Sequence, residues 1–395
     1  MKFSPFVERI AGQGVAAWDI HHAASDAASQ GEDVIILSVG DPDFATPPFI
    51  TDAAVNALHA GDSHYTEIAG RPALREAIAA RYSRTLARPL AADNVIIVPG
   101  AQNALFISSL CLLQAGDEVL VLDPMYVTYD APLKARGATL VRVPCSAEAG
   151  FRLNPSLLAA AITPRTRAIF FSNPNNPTGV VLDLQELQAI ADLVIAHDLW
   201  VVVDEVYESL VFDGQYHSLA ALPGMAQRCI VIGSLSKSHA MTGWRIGWLI
   251  APVQMVQHAE TLLMYGLPGF VMEAATAAVL AHDEVIEGMR ETYRRRRDLV
   301  VTALSTCPGI RVQAPQAGMF VLVDVRGTGL GSLDFAWRLF REAGVSVLDA
   351  AAFGEPAQGF VRLSFTLGEE RLAQACRRIV GFVEKLTSER AVHWA

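Results

Sequence analysis

The chain alternates between short apolar runs and longer segments whose apolar residues fall at helical spacing. Seven runs read as strands: Val95-Ile96-Ile97-Val98, Val119-Leu120-Val121-Leu122, Thr139-Leu140-Val141, Ala168-Ile169-Phe170-Phe171, Trp200-Val201-Val202-Val203, Ile230-Val231-Ile232 and Ile246-Gly247-Trp248-Leu249-Ile250. They are continuously apolar, not alternating, which is the pattern of strands covered on both faces in a mostly parallel sheet. Between two of them, Leu187, Ile190, Ala191 and Val194 mark a helix from Leu184 to His197. The uncharged stretch from Asn94 to Gly116 is long enough to imitate a membrane span. Pro99-Gly100 breaks it, and Gln102, Asn103 and Ser108-Ser109 interrupt it, so it reads as strand, glycine turn and buried helix.

From about Asp283 the pattern changes. A long amphipathic helix leads to the run Met319-Phe320-Val321-Leu322-Val323, then to a helix from Ser332 to Glu342. A last strand, Phe360-Val361-Arg362-Leu363-Ser364-Phe365, precedes a helix from Glu369 to Thr387. This grouping predicts an α/β chain with a mostly parallel seven-stranded sheet domain over 49–290. A smaller α+β domain is expected from 1–48 and 291–395, the N-terminal segment included. No flexible linker separates the two, so the ligand is expected between them.

Composition narrows the classes. Hydrophobic residues make up 52% of the 395 and charged ones 18%, which excludes a disordered chain. A net charge of −10 argues against nucleic acid and anionic membranes as partners. The run Arg294-Arg295-Arg296-Arg297 lies in a helical stretch and reads as a solvated face. The five cysteines are far apart and lack ligand spacing, so neither a disulfide framework nor a metal site is expected. Reduced cysteines and an N-terminus without an apolar signal core point to the cytoplasm.

The chemistry gathers at predicted strand ends, where open α/β sheets place their ligands. After Ile230-Val231-Ile232 comes Ser234-Leu235-Ser236-Lys237-Ser238, with Arg245 following. Hydroxyls and an arginine suit a phosphate, and nearby cations favour a neutral, nucleophilic lysine amine. A pyridoxal phosphate site needs that combination; a surface lysine in a serine-rich loop is the competing account. Asp204 closes the Trp200 run, with Tyr207 three residues on. A carboxylate there can pair with a pyridinium nitrogen or simply cap a helix. Ser172-Asn173-Pro174-Asn175-Asn176-Pro177-Thr178-Gly179 is a rigid turn whose amides can donate to a phenolic oxygen, or an ordinary Asn-Pro turn. Gly100 and the helix start at Ala101-Gln102 offer backbone N–H groups to an anion. Arg362, flanked by apolar residues, needs either a substrate carboxylate or an internal acidic partner.

Taken with Gly40-Asp41-Pro42-Asp43-Phe44, Tyr65, Gly70, Leu74-Arg75 and Tyr126, these motifs resemble class I, fold-type I aminotransferases nearly end to end. The resemblance implies that Lys237 anchors pyridoxal 5'-phosphate covalently. It places Asp204 on the ring nitrogen, Tyr207 and Asn176 on the phenolate oxygen, and Tyr126 against the ring. Ser234, Ser236, Arg245, Gly100 and the backbone at Ala101 and Gln102 would hold the phosphate. Ala101 stands where some relatives carry a hydroxyl, so only its N–H can help. Tyr65 would reach the neighbouring subunit's phosphate, which implies a homodimer with shared sites. Arg362 would bind the substrate carboxylate, with Gly40 and Asn176 beside it. Within the family, Ala17-Trp18-Asp19-Ile20-His21, Asp123-Pro124-Met125-Tyr126-Val127-Thr128-Tyr129 and the Lys237 run resemble the branch that uses L-arginine and pyruvate. That likeness makes Trp18 and Asp19 candidates for reading the donor side chain, Asp19 by pairing with a guanidinium. An aspartate or aromatic donor, a pyridoxal phosphate β-lyase and an effector-sensing domain of a transcription regulator are the other readings. The last needs a DNA-binding segment, and Gly40-Asp41-Pro42 comes too early to leave room for one.

Overall fold

The computed structural model describes residues 1–11 and 17–393. Thirteen strands follow one another among them. The first eight are β1 (Ile35–Ile36), β2 (Val95–Val98), β3 (Glu118–Asp123), β4 (Thr139–Pro144), β5 (Thr166–Ser172), β6 (Trp200–Asp204), β7 (Cys229–Ser234) and β8 (Gly247–Ile250). Then come β9 (Arg311–Val312), β10 (Phe320–Asp324), β11 (Val345–Ser346), β12 (Leu348–Asp349) and β13 (Phe360–Ser364). All seven strands expected of the large sheet are present, in the order β2-β8-β7-β6-β5-β3-β4. β8 runs antiparallel to both neighbours, and every other pairing is parallel.

Alternation along each strand explains why these runs are apolar throughout. Ile97, Leu120, Val201 and Val203 enter one core, beneath helices Pro48–His59, Pro72–Thr85, Leu184–Ala196 and Gly269–Leu280. Ile96, Val119, Val121 and Val202 enter a second core on the opposite face, closed by helices Ala101–Leu112 and Val253–Glu260. Of the seven, only β4, at the sheet edge, exposes as many as half of its residues. The helix at Leu184 starts where its capping box dictates. Asp183 accepts from the Glu186 N–H and Glu186 accepts from the Asp183 N–H, both at 2.9 Å.

A second, antiparallel sheet has the order β12-β13-β10-β9 and packs with helices His282–Ser305, Ser332–Ala343 and Glu369–His393 around a third core. Arg362 sits in the middle of β13, opposite Leu322 on one side and Leu348 on the other. The short pair β1 and β11, parallel to each other, docks the N-terminal segment onto this lobe. No helix among the described residues is long and apolar enough to cross a membrane.

One expectation is corrected. The Arg294–Arg297 run is not a uniformly solvated face: Arg294 is half-buried and Arg295 exposed, but Arg296 and Arg297 are buried. Arg296 pairs with Asp43, and Arg297 with Asp213 and Asp298. Asp298 is adjacent, but Asp43 and Asp213 lie far away in the sequence, where a local reading of charge finds no counter-ion.

Gly233 of β7 lies opposite Trp248 of β8, and a Cβ there would run into the indole of that fully buried tryptophan. Gly233→Ala is expected to lower stability by about 1–3 kcal/mol through overpacking, read as a lower urea midpoint at unchanged slope.

Candidate active site

The last residues of three adjacent parallel strands, Ser172, Asp204 and Ser234, line one cavity of about 380 Å³. The small lobe adds Arg362 and Phe320, and the N-terminal segment adds Trp18, Val39, Gly40 and Asp41. The site therefore lies outside the carboxyl ends of the parallel strands and between the two lobes.

Asp204 is buried at the floor. The Tyr129 phenol donates to its Oδ2 at 2.6 Å and the Val206 N–H donates to its Oδ1 at 3.2 Å. Burial raises its pKa above the ordinary carboxylate value, and those two donors pull it back. Tyr129 in turn is held upright by an edge-to-face contact with Tyr126, ring centroids 5.9 Å apart. Tyr126 also lines the cavity.

Lys237 Nζ lies 2.8 Å from the Gly40 carbonyl, to which it donates. Burial pushes this amine down from an ordinary value of 10.5 to about 8. Asp41 opposes the shift, while the Arg362 and Arg245 charges add to it. The result is a lysine whose neutral form is accessible near physiological pH.

Arg362 is buried and makes no ion pair among the described residues. Its Nη1 donates to Asn176 Oδ1 at 3.0 Å and its Nη2 to the Ser38 carbonyl at 3.2 Å, while Nε has no partner. Its guanidinium lies over Phe353 and Phe320, 4.8 and 5.4 Å from the ring centroids. Burial pulls it below its ordinary value. The internal acidic partner that would have made Arg362 structural is not there. Tyr207 is buried beside Asn176, with its ring edge-to-face on Phe320 at 5.3 Å.

At the opposite wall, Gly100 caps helix Ala101–Leu112 with φ of +86°, and a Cβ there would strike the Arg245 guanidinium. A Cβ on Gly247 would come within 2.7 Å of the Gly100 backbone and 2.8 Å of the Ala101 nitrogen. Two glycines thus let a strand, a helix start and an arginine close on one another. Ser234 Oγ, 2.9 Å from Ser236 Oγ, donates to the Ile246 carbonyl at 2.8 Å and accepts from the Ser236 N–H at 3.0 Å. Ala101, Gln102, Ser234, Ser236 and Arg245 line this end of the cavity together. Hydroxyls, a guanidinium and a helix N-terminus on one small surface make an anion cradle.

Two expected site residues lie elsewhere. Tyr65 is 85% exposed and stacks on Tyr265, centroids 4.9 Å apart, outside the cavity. Asp19 is exposed at the start of helix Asp19–Ser29 and lines a neighbouring cavity with Arg142, Trp337, Asp349 and Glu355. Its neighbour Trp18 does line the central cavity. Sequence reasoning passed over Tyr129 and Asp41. Both stood inside quoted motifs, but nothing in linear order shows that Tyr129 reaches Asp204 across 75 residues.

The family model for aminotransferase class I and II matches residues 32–379. An arginine–pyruvate transaminase, AruH of Pseudomonas aeruginosa, is 50% identical over 96% of this chain and 97% of its own. The aspartate aminotransferase of Musicola paradisiaca is 37% identical over 88% of each chain. Among solved structures, the aspartate aminotransferase of Thermus thermophilus with maleate superposes with a TM-score of 0.91 at 33% identity, covering 96% of this chain and 99% of that one. The chain belongs to the class I and II aminotransferases, enzymes that work with pyridoxal 5'-phosphate.

Proposed function

We propose that this aminotransferase moves the amino group of L-arginine to pyruvate, as the name of its 50%-identical relative describes for that protein. The observation that carries the site assignment is Arg362, a buried guanidinium without an anionic partner among the described residues, lining the same cavity as a lysine amine. A donor's carboxylate supplies the missing anion in bidentate geometry and sets its Cα toward Lys237.

The donor set fits the cofactor. The cradle left open by Gly100 and Gly247 suits a phosphate, held by the N–H groups at Ala101 and Gln102, the Ser234 and Ser236 hydroxyls and Arg245. Asp204 would accept from the ring N–H, with Tyr129 fixing the orientation of its carboxylate. Asn176 and Tyr207 would donate to the phenolate oxygen, and Tyr126 would lie against the ring. When bound, pyridoxal 5'-phosphate supplies an electron sink that makes the donor's Cα proton removable.

Lys237 would hold the cofactor through Nζ, and its free amine would take the donor's Cα proton as general base and return it as acid. Its depressed basicity serves the first task and its nearness to Asp41 the second. Arg362 keeps each substrate carboxylate in one place through both half-reactions. We assign 49–290 to a large cofactor-binding domain, and 1–48 with 291–395 to a small one. Tyr65, exposed beside Tyr265 and Met264, fits the surface of a cytoplasmic homodimer that reaches the partner's phosphate.

Lys237→Ala is expected to lose turnover by at least about 10⁴-fold while Arg362→Leu raises KM for every donor, checked in a panel of arginine, aspartate and aromatic donors with pyruvate and 2-oxoglutarate. Arginine with pyruvate should give the largest kcat/KM, and a winning aspartate or aromatic donor would overturn the specificity. Asp19→Ala decides the side-chain reader. A loss confined to arginine keeps Asp19 in that role, and a uniform loss or none removes it.

The lysine gives a pH signature. Between about 8 and 10.5 the folded protein binds fewer protons at Lys237 than the unfolded chain does. This residue therefore costs stability at neutral pH, and the cost fades as pH rises through that window. In cofactor-free protein, the rate of Lys237 labelling by trinitrobenzenesulfonate should rise with pH and level off above about 8. A rate still climbing to about 10.5, the ordinary lysine value, would contradict the depressed basicity.

A further inference from the structure

Residues 38–47 form no helix or strand, yet side-chain contacts tie them at several points. At one end of this strap the Gly40 carbonyl receives Lys237 Nζ. In its middle, Asp43 takes both Nη atoms of the buried Arg296 at 2.7 and 2.8 Å. Phe44 packs edge-to-face on Tyr293, one turn earlier on the same helix, with centroids 5.4 Å apart. At the far end, Thr46 Oγ1 donates to the Ala240 carbonyl at 2.7 Å and accepts from Trp244 Nε1 at 3.1 Å.

The Thr46 contacts fall on the loop that carries Lys237. Ala240 holds a left-handed conformation with φ of +51°, and so does Arg245, next to Trp244, with φ of +55°. Side-chain-bearing residues adopt that region only when their surroundings hold them there. Thr46 grips the loop at Ala240 and again beside Arg245. The strap is thus fastened to the small lobe through Arg296 and to the lysine loop through Thr46, and it carries the carbonyl that Lys237 touches.

We propose that the 40–46 strap positions Lys237 for proton transfer, with Thr46 and Arg296 as its two anchors. The inference rests on Lys237 being the proton carrier. A neutral amine has a single lone pair. When one of its N–H bonds points at the Gly40 carbonyl, that lone pair can turn into the cavity. If the strap shifts, the carbonyl moves and the amine loses the contact that orients it. Thr46 and Arg296 touch no reacting atom, so both are positioning residues.

The test uses holoenzyme with the best donor of the panel, in ordinary and Cα-deuterated form, at saturating pyruvate. Thr46→Val keeps the shape and removes both hydrogen bonds, Thr46→Ser retains them, and Arg296→Lys breaks the bidentate pair at the other anchor. Thr46→Val and Arg296→Lys are expected to lower kcat about ten- to a hundredfold, with full cofactor content and a deuterium isotope effect at least as large as in the parent enzyme. Thr46→Ser should stay within about threefold of the parent. Unchanged kcat in both variants overturns the proposal, as does a loss that tracks cofactor content or an isotope effect falling toward unity. Should Thr46→Val not fold, Arg296→Lys decides alone. Failure here with Lys237→Ala inactive sinks only the strap, whereas an active Lys237→Ala sinks the reading of Lys237 itself.

Discussion

Two opposite charges are taken out of water on facing walls of one cavity without being allowed to meet. Asp204 at the floor and Arg362 on the small lobe are both buried, and neither has an ion-pair partner among the described residues. An uncompensated buried ion costs several kcal/mol, a large part of the 5–15 kcal/mol that holds a typical protein together. The fold can bear this only by giving each group fixed neutral dipoles. Asp204 receives a phenol and an amide N–H, and Arg362 receives a side-chain amide and a carbonyl. Those partners make the charges tolerable but do not neutralise them, so both remain available to charges brought by a ligand.

Lys237 lies between them, and its environment follows from theirs. The Arg362 charge that suits a carboxylate also discourages protonation of the amine, and Asp41 restrains that effect. The architecture separates the sources of these charges. Asp204 and Lys237 come from strand ends of the large sheet, Arg362 from a central strand of the small one, and Asp41 from a segment with no regular structure. The cavity therefore exists only when the lobes dock, and the contacts that dock them bear directly on the lysine's basicity.

Much of this was legible in the linear sequence because burial on both faces leaves a plain mark. The seven sheet strands were readable as apolar runs, and Asp204 and Ser234 were findable as the polar residues that end them. The four-helix grouping around one sheet face was less visible, since helix Gly269–Leu280 is apolar nearly all round and shows little periodicity. The two-residue strands β1 and β11 give no pattern of their own and exist only through each other. Long-range polar pairing was the true blind spot. Arg296 looked like one charge in a basic run, and only the folded chain brings it to Asp43, 253 positions away. Tyr129 carried no more weight than any tyrosine until β3 and β6 brought it to Asp204.

Specificity is less legible than chemistry for a related reason. In the proposed roles Lys237 and Arg362 meet atoms that every α-amino acid possesses and Asp204 meets only the cofactor, so all three would look the same for any donor. Under that proposal, what would distinguish donors lies beyond Cα, and the cavity wall at Trp18 and the strap has little regular structure to declare itself. Asp19 shows the consequence. It follows Trp18 directly, yet Asp19, at the start of its helix, lines the next cavity, whose wall also includes Arg142. Adjacent positions at a helix start face different directions, so a carboxylate one residue from a pocket wall is not thereby a pocket residue.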